Sequence, residues 1–187
     1  MKNKLCGFTL IELLIVVAII AILAAIAVPN FLEAQTRAKI SRVQTDLRTI
    51  KTALESYFVD HNHYPDCMTW AMNGANAMTR MEELTSPIAY INSVPIDPFN
   101  LTGYAGQIGP WEYVYYTAET FTNRTLFEQI MSAYNDSSPS SRLYLLFGVG
   151  PDNDADYCTG PYQPRGIITY DATNGTKSNG DIATYGP

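Results

Sequence analysis

Hydrophobic and polar positions divide this chain sharply. From Phe8 to Val28 every residue is apolar except Thr9 and Glu12. As a helix those 21 residues would run about 31 Å, the thickness of a bilayer hydrocarbon core. Lys2 and Lys4 precede the run, so the positive-inside rule keeps the short leader cytoplasmic and sends the rest outward. Beyond Pro29 the pattern changes period. Val43, Leu47, Ile50, Leu54 and Tyr57 recur at spacings of four, three, four and three, which is one face of a helix. The charged residues Arg37, Arg42, Arg48, Lys51 and Glu55 fall largely elsewhere around it. The pattern therefore predicts one helix from Phe8 to near Val59, about 75–80 Å long, with a bare first half and a second half that buries one stripe. Pro29 is compatible with a kinked but continuing helix. Pro65 ends it, because the residue before a proline avoids the helical region.

After the helix the elements are short. Met68 to Thr85 reads as helical turns, firmest at Arg80–Leu84, and Pro87, Pro95 and Pro98 then enforce an irregular crossing. Trp111–Tyr116 is rich in aromatic residues and strand-like, and Leu143–Val149 is apolar enough for a strand buried on both faces. Thr125–Ala133 has helical spacing within a polar insertion at 119–141. Ile167–Tyr170 and Ile182–Tyr185 complete an expected sheet of three or four antiparallel strands, with Asn174-Gly175 as a turn between them.

Composition and charge narrow the function classes. The 187 residues suit one domain plus an appended helix, and 13 tyrosines with 11 prolines fit a loop-rich, aromatic head. Residues 1–60 hold seven Lys/Arg against five Asp/Glu, whereas residues 61–187 hold five against thirteen. An acidic head argues against nucleic-acid binding, which needs a basic stripe. Of the cysteines, Cys6 lies in the leader. Cys67 and Cys158 would lie outside the cytoplasm, where disulfides persist, so a bridge between them stands beside the alternative of two buried thiols.

Glu12 is the residue that an ordinary membrane anchor does not explain. A carboxylate in a membrane helix costs roughly 2.5–3.5 kcal/mol, and such groups are functional by default. A cleavable secretory signal has a shorter apolar region and a small-residue cleavage site, to which Ala27-Val28-Pro29 is a poor match. A plain signal anchor fits the length and leaves Glu12 without a role. The stretch Gly7-Phe8-Thr9-Leu10-Ile11-Glu12-Leu13-Leu14 closely resembles the class III signal of type IV prepilins. That resemblance implies cleavage between Gly7 and Phe8 by a prepilin peptidase/methyltransferase, with methylation of the new amine on Phe8. It also implies an assembly role for Glu12, whose carboxylate would meet the amine of a neighbouring subunit. An unpaired buried charge is costly, so such a pair fixes register more than it adds stability. The segments that follow are a leader at 1–7, a transmembrane and polymerisation helix at 8–28, a stem at 29–60 and a head at 61–187.

Candidate chemistry is sparse. His61 and His63 invite a metal reading, against which stands a helix C-terminus where imidazoles meet the dipole favourably. No nucleophile–base set and no phosphate loop emerges, so catalysis is not expected. Gly150-Pro151-Asp152-Asn153-Asp154-Ala155-Asp156 supplies hard oxygen donors that suit calcium, though an acidic run is usually a solvated loop. Val94-Pro95-Ile96-Asp97-Pro98-Phe99, Gly150-Pro151-Asp152 and Asp181-Ile182 are similar to the head of type II secretion major pseudopilins. This second resemblance implies calcium held by Asp152, Asp154, Asp156 and Asp181. The chain departs from that family by inserting residues 157–180 between the two pieces.

Together the resemblances imply a pilin-like α+β fold, in which a long N-terminal helix carries a small antiparallel sheet on its C-terminal half. They imply a structural subunit in the bacterial inner membrane, N-terminus cytoplasmic and head periplasmic, which polymerises into a pseudopilus for type II secretion. Its partners would be copies of itself, minor pseudopilins and an inner-membrane assembly platform. The alternatives are a type IV pilus subunit for adhesion, motility or DNA uptake, and an envelope enzyme anchored in the membrane.

Overall fold

The two polar/apolar periods of the N-terminal third form one helix, α1, Leu10–His61. The computed structural model describes residues 8–65, 81–99, 112–118, 143–153, 169–178 and 180–187. The chain divides into two compact units, Met1–Ala38 and Lys39–Pro187, and each is taken by itself.

In the first unit the described residues are helical almost throughout, with Pro29 inside the helix. Its apolar side chains are bare: Leu10, Ile11, Leu23 and Phe31 are all more than 60% exposed. Among the described residues this is the one helix long and apolar enough to cross a membrane. Arg37 and Glu33 pair at 2.6 Å at its polar end, an exposed i,i+4 contact that contributes a few tenths of a kcal/mol at most.

In the second unit the helix buries the expected stripe. Val43, Leu47, Ile50, Leu54 and Tyr57 are all buried, joined by Ile40 and Ala53. The helix ends at His61, and Asn62 takes a left-handed φ of 60° while its N–H reaches the Phe58 carbonyl at 2.8 Å. Met81–Leu84 forms a short 3-10 helix whose Met81 and Leu84 enter the core.

Three strands follow: β1, Val114–Thr117, β2, Tyr144–Gly148, and β3, Ile182–Tyr185. They form one antiparallel sheet in the order β1-β2-β3. Val114 pairs with Phe147 and Thr117 with Tyr144, while Leu145 pairs with Tyr185 and Gly148 with Ile182. The central strand β2 is buried at every position, as its unbroken apolar run requires. The core joins the helix stripe to Tyr113, Tyr115, Tyr144, Leu146 and Ile182.

One expectation needs correction. Asn174-Gly175 does not turn an antiparallel hairpin. Ala172–Lys177 is a 3-10 helix capped by Asp171, whose side chain accepts from the Thr173 N–H at 2.8 Å and the Thr173 hydroxyl at 2.7 Å. Thr169 bridges Asp181 in parallel instead. A local side-chain cap competes well against a turn signal when the cap residue is an aspartate. Ile167, Ile168, Trp111, Arg80 and the 119–141 insertion lie outside the described residues.

Candidate functional site

The N-terminus of α1 is built from a short polar motif. Thr9 precedes the first helical residue, and Glu12 stands three residues on. The Glu12 carboxylate accepts from the Thr9 N–H at 2.9 Å and from the Thr9 hydroxyl at 2.7 Å, and the Glu12 N–H donates to the Thr9 hydroxyl at 3.3 Å. This is a reciprocal capping box, which satisfies backbone donors that the first helical turn leaves open. Thr9-x-x-Glu12 carries that signature in the sequence, beside the intersubunit role expected of Glu12. Phe8 lies beside the box, 71% exposed. Gly7 lies outside the described residues, as do Cys67 and Cys158.

Four carboxylates in the second unit accept tyrosine hydroxyls. Asp46 accepts from Tyr113 at 2.9 Å, and Asp60 from Tyr90 at 2.7 Å. Glu55 accepts from both Tyr144 at 2.8 Å and Tyr64 at 3.0 Å. Glu83, on the 3-10 helix, accepts from Tyr57 at 3.0 Å. Burial above all, and then the bond to Asp46 or Glu55, pushes the Tyr113 and Tyr144 hydroxyls far above the usual tyrosine range. Lys51 adds a further tie, donating to the Tyr185 carbonyl at 3.0 Å. None of these pairs was legible beforehand, because the partners are distant in sequence.

The acidic loop is placed by contacts that bring together two pieces separated by the insertion. The pairing of Gly148 with Ile182 sets Gly150-Pro151-Asp152 beside Gly180-Asp181. The Asp152 carboxylate accepts from the Gly180 N–H at 2.8 Å. Gly150 packs so closely that a Cβ there would collide with the Gly180 carbonyl oxygen. Asp181 is fully buried. Behind the loop, buried Asp97 holds two backbone groups, Phe99 N–H at 2.9 Å and Val149 N–H at 2.7 Å. Two carboxylates on adjoining backbone are hard oxygen donors of the kind calcium takes. Among the described residues no group of three or more His, Cys, Asp or Glu is arranged to hold a metal ion. Asp154 and Asp156 lie outside the described residues, so a full calcium shell would have to draw on them or on backbone carbonyls.

Comparison with known proteins bears on both ends of this arrangement. Residues 2–28 match the prokaryotic N-terminal methylation motif. Residues 30–117 match the family described as type II secretion system (T2SS), protein G. The type II secretion system core protein G of Pseudomonas aeruginosa is 31% identical over 104 residues, covering 52% of this chain and 70% of that protein. That of Aeromonas hydrophila is 32% identical over 100 residues, with 52% and 70% covered. The chain belongs to the type II secretion protein G family. Further matches include pilins, of which a smaller share is covered. The type IV major pilin protein PilA of Myxococcus xanthus is 57% identical over 60 residues, 32% of this chain and 27% of that protein. A type IV major fimbrial protein FimA of Dichelobacter nodosus is 48% identical over 67 residues, 43% of its length. The chain thus spans less than half the length of these pilin relatives. No solved structure matches it. As a protein G family member with a prepilin motif, the chain has the expected pilin-like α+β architecture of one long helix and one small antiparallel sheet.

Proposed function

We propose that this chain is a structural subunit that polymerises into a periplasmic pseudopilus and drives protein export by type II secretion. One observation carries the reading: the helix from Leu10 to Val28 presents an apolar surface on every side, interrupted by Glu12. A helix apolar all round needs lipid or other helices about it. Lipid would surround it before assembly, and copies of the same helix afterwards. The prepilin peptidase/methyltransferase cuts between Gly7 and Phe8 and methylates Phe8. Glu12 then sets register against the amine of a neighbour. Minor pseudopilins and the assembly platform are the further partners, and the head lies outside the inner membrane. The subunit performs no catalysis. Calcium would be held by Asp152 and Asp181, with Asp154 and Asp156, and would supply positive charge that draws the carboxylates of the loop together.

The test separates insertion from assembly. Glu12→Leu should insert at least as well as the unaltered chain, since a costly charge is gone, yet form no ordered filaments and support no export. Normal filaments from Glu12→Leu would sink the register role. Native protein that begins at Met1 by mass spectrometry, without a methyl group on Phe8, would sink the processing.

A second reading, a type IV pilus subunit, draws support from the 57% identity to the Myxococcus pilin. Secretion is favoured because the protein G match runs through residue 117, past the helix and into the first strand. A secretin and minor pseudopilins encoded beside this gene would support secretion, and a retraction motor would support the pilus.

A further inference from the structure

The end of α1 gathers two imidazoles. On a continuing helix His61 and His63, two positions apart, would face away from each other. Asn62 instead adopts φ 60°, a left-handed conformation that asparagine tolerates better than most residues. The chain folds back, and the ring centres of His61 and His63 stand 5.9 Å apart. Both rings rest against buried Tyr57, at 4.1 Å and 5.7 Å, and both histidines are exposed.

Among the described residues each ring is held through one nitrogen. His61 Nδ1 lies 3.1 Å from the Tyr57 carbonyl oxygen, and His63 Nδ1 lies 3.0 Å from the Tyr64 carbonyl oxygen. A carbonyl can only accept, so in the neutral ring each Nδ1 carries the proton and each Nε2 keeps the lone pair that a metal needs. Metal-binding histidines are oriented in this way, the second nitrogen donating to a carbonyl or carboxylate. Two imidazoles on one ion, with Zn–N bonds of about 2.0–2.1 Å, have ring centres roughly 5–6 Å apart.

The surroundings favour a cation. The open carbonyls of the last helical turn form the negative end of the helix dipole. Asp60 and Glu83, which accept from the Tyr90 and Tyr57 hydroxyls, place carboxylates on the same aromatic cluster. Between Lys51 and Arg80 the chain holds no Lys or Arg.

We propose that His61 and His63 form a two-imidazole site for a borderline transition-metal ion of the zinc or copper class. Imidazole ligands suit such ions, whereas the all-oxygen acidic loop suits calcium, so the two sites differ in chemistry as well as place. Among the described residues no third His, Cys, Asp or Glu completes a cluster, and water fills the remaining positions. The site does not depend on the filament reading.

The experiment uses the full-length protein in detergent micelles with its cysteines alkylated, so that thiolates do not compete. Zinc chloride is titrated in, followed by calorimetry and by NMR of the imidazole carbons, which come from only two histidines. Saturable binding of one ion per chain that shifts both imidazoles, with calcium shifting neither, is the expected result. His61→Ala and His63→Ala should each weaken zinc by about tenfold or more, while Asp152→Ala leaves it unchanged. His63→Gln lies beyond the helix and serves if His61→Ala disturbs the last turn. Absence of saturable zinc binding in the unaltered chain, or binding that persists in the double variant, would overturn the proposal.

Discussion

Glu55→Ala removes a carboxylate that two tyrosine hydroxyls share. Tyr144 reaches one oxygen at 2.8 Å and Tyr64 the other at 3.0 Å. Both tyrosines are buried, at 0% and 2% exposure, so the hydroxyls cannot simply turn to water. Hydrogen bonds to a charged group contribute about 1.5–3 kcal/mol each, and an abandoned buried donor costs about 1–3 kcal/mol. Glu55 itself is half-buried, and alanine is a slightly better helix former, which offsets a few tenths of a kcal/mol. The net expectation is a loss of about 2–4 kcal/mol, a large share of the 5–15 kcal/mol that typically holds a domain together. Tyr144→Phe alone, which leaves Glu55 able to recruit water, should cost about 1–2 kcal/mol. The two changes act on one bond, so a double-mutant cycle should show coupling of about 1–2 kcal/mol. Urea unfolding of the full chain in detergent, followed by near-ultraviolet tyrosine signals, measures all three variants. A Glu55→Ala loss under about 0.5 kcal/mol, or strict additivity with Tyr144→Phe, would refute the reasoning.

The raised Tyr113 and Tyr144 hydroxyls contribute stability that is fully present below the ordinary tyrosine value of 10.0 and is lost as pH rises beyond it. Tyrosinate absorbance should therefore show these two ionising only as the head unfolds, and their reversible ionisation in the folded protein would contradict the geometry. Gly150→Ala would drive a methyl group into the Gly180 carbonyl, and thermal melting should show a loss of about 1–3 kcal/mol. Millimolar calcium should raise the melting temperature relative to chelator by mass action, with the difference abolished in Asp152→Ala or Asp181→Ala. An unchanged melt would reduce the loop to a solvated acidic run. A Cys67–Cys158 bridge would close a long loop for roughly 4–5 kcal/mol in the chain-entropy model, and non-reducing peptide mapping that finds both thiols free would remove it.

What the sequence announced and what it withheld follow a physical line. The stripe from Val43 to Tyr57 was legible because helical period and burial are the same signal, and every member is buried. The strands at 114–117, 144–148 and 182–185 were legible from aromatic and β-branched runs, and the full burial of β2 from its lack of alternation. Asn174-Gly175 misled because Asp171 offers its backbone a competing local bond. The Thr9–Glu12 box was legible as a Thr-x-x-Glu spacing at the start of the apolar run, because a capping box is a local pattern. The clamp of Asp97 on Val149 spans 52 positions and the Tyr144–Glu55 bond spans 89. Nothing local marks either end of such a pair, since only the fold brings them together. The meeting of the Asp152 loop with Gly180-Asp181 across residues 157–180 was implied by the pseudopilin resemblance and by nothing local, and the Asp152 bond to the Gly180 N–H is its physical form.

The tyrosine–carboxylate pairs have a mechanical consequence. Asp46, Glu55 and Asp60 meet their tyrosines at three levels of one helix, spread over about 21 Å at 1.5 Å per residue, and the Lys51 tie to Tyr185 lies between them. A pull along the helix axis would load these links side by side, in shear, together with the packed stripe beneath them. No single link would take the tension first and pass failure to the next, as happens when a sheet is peeled from one end. A head riveted at several heights would resist being pulled off the helix that carries it.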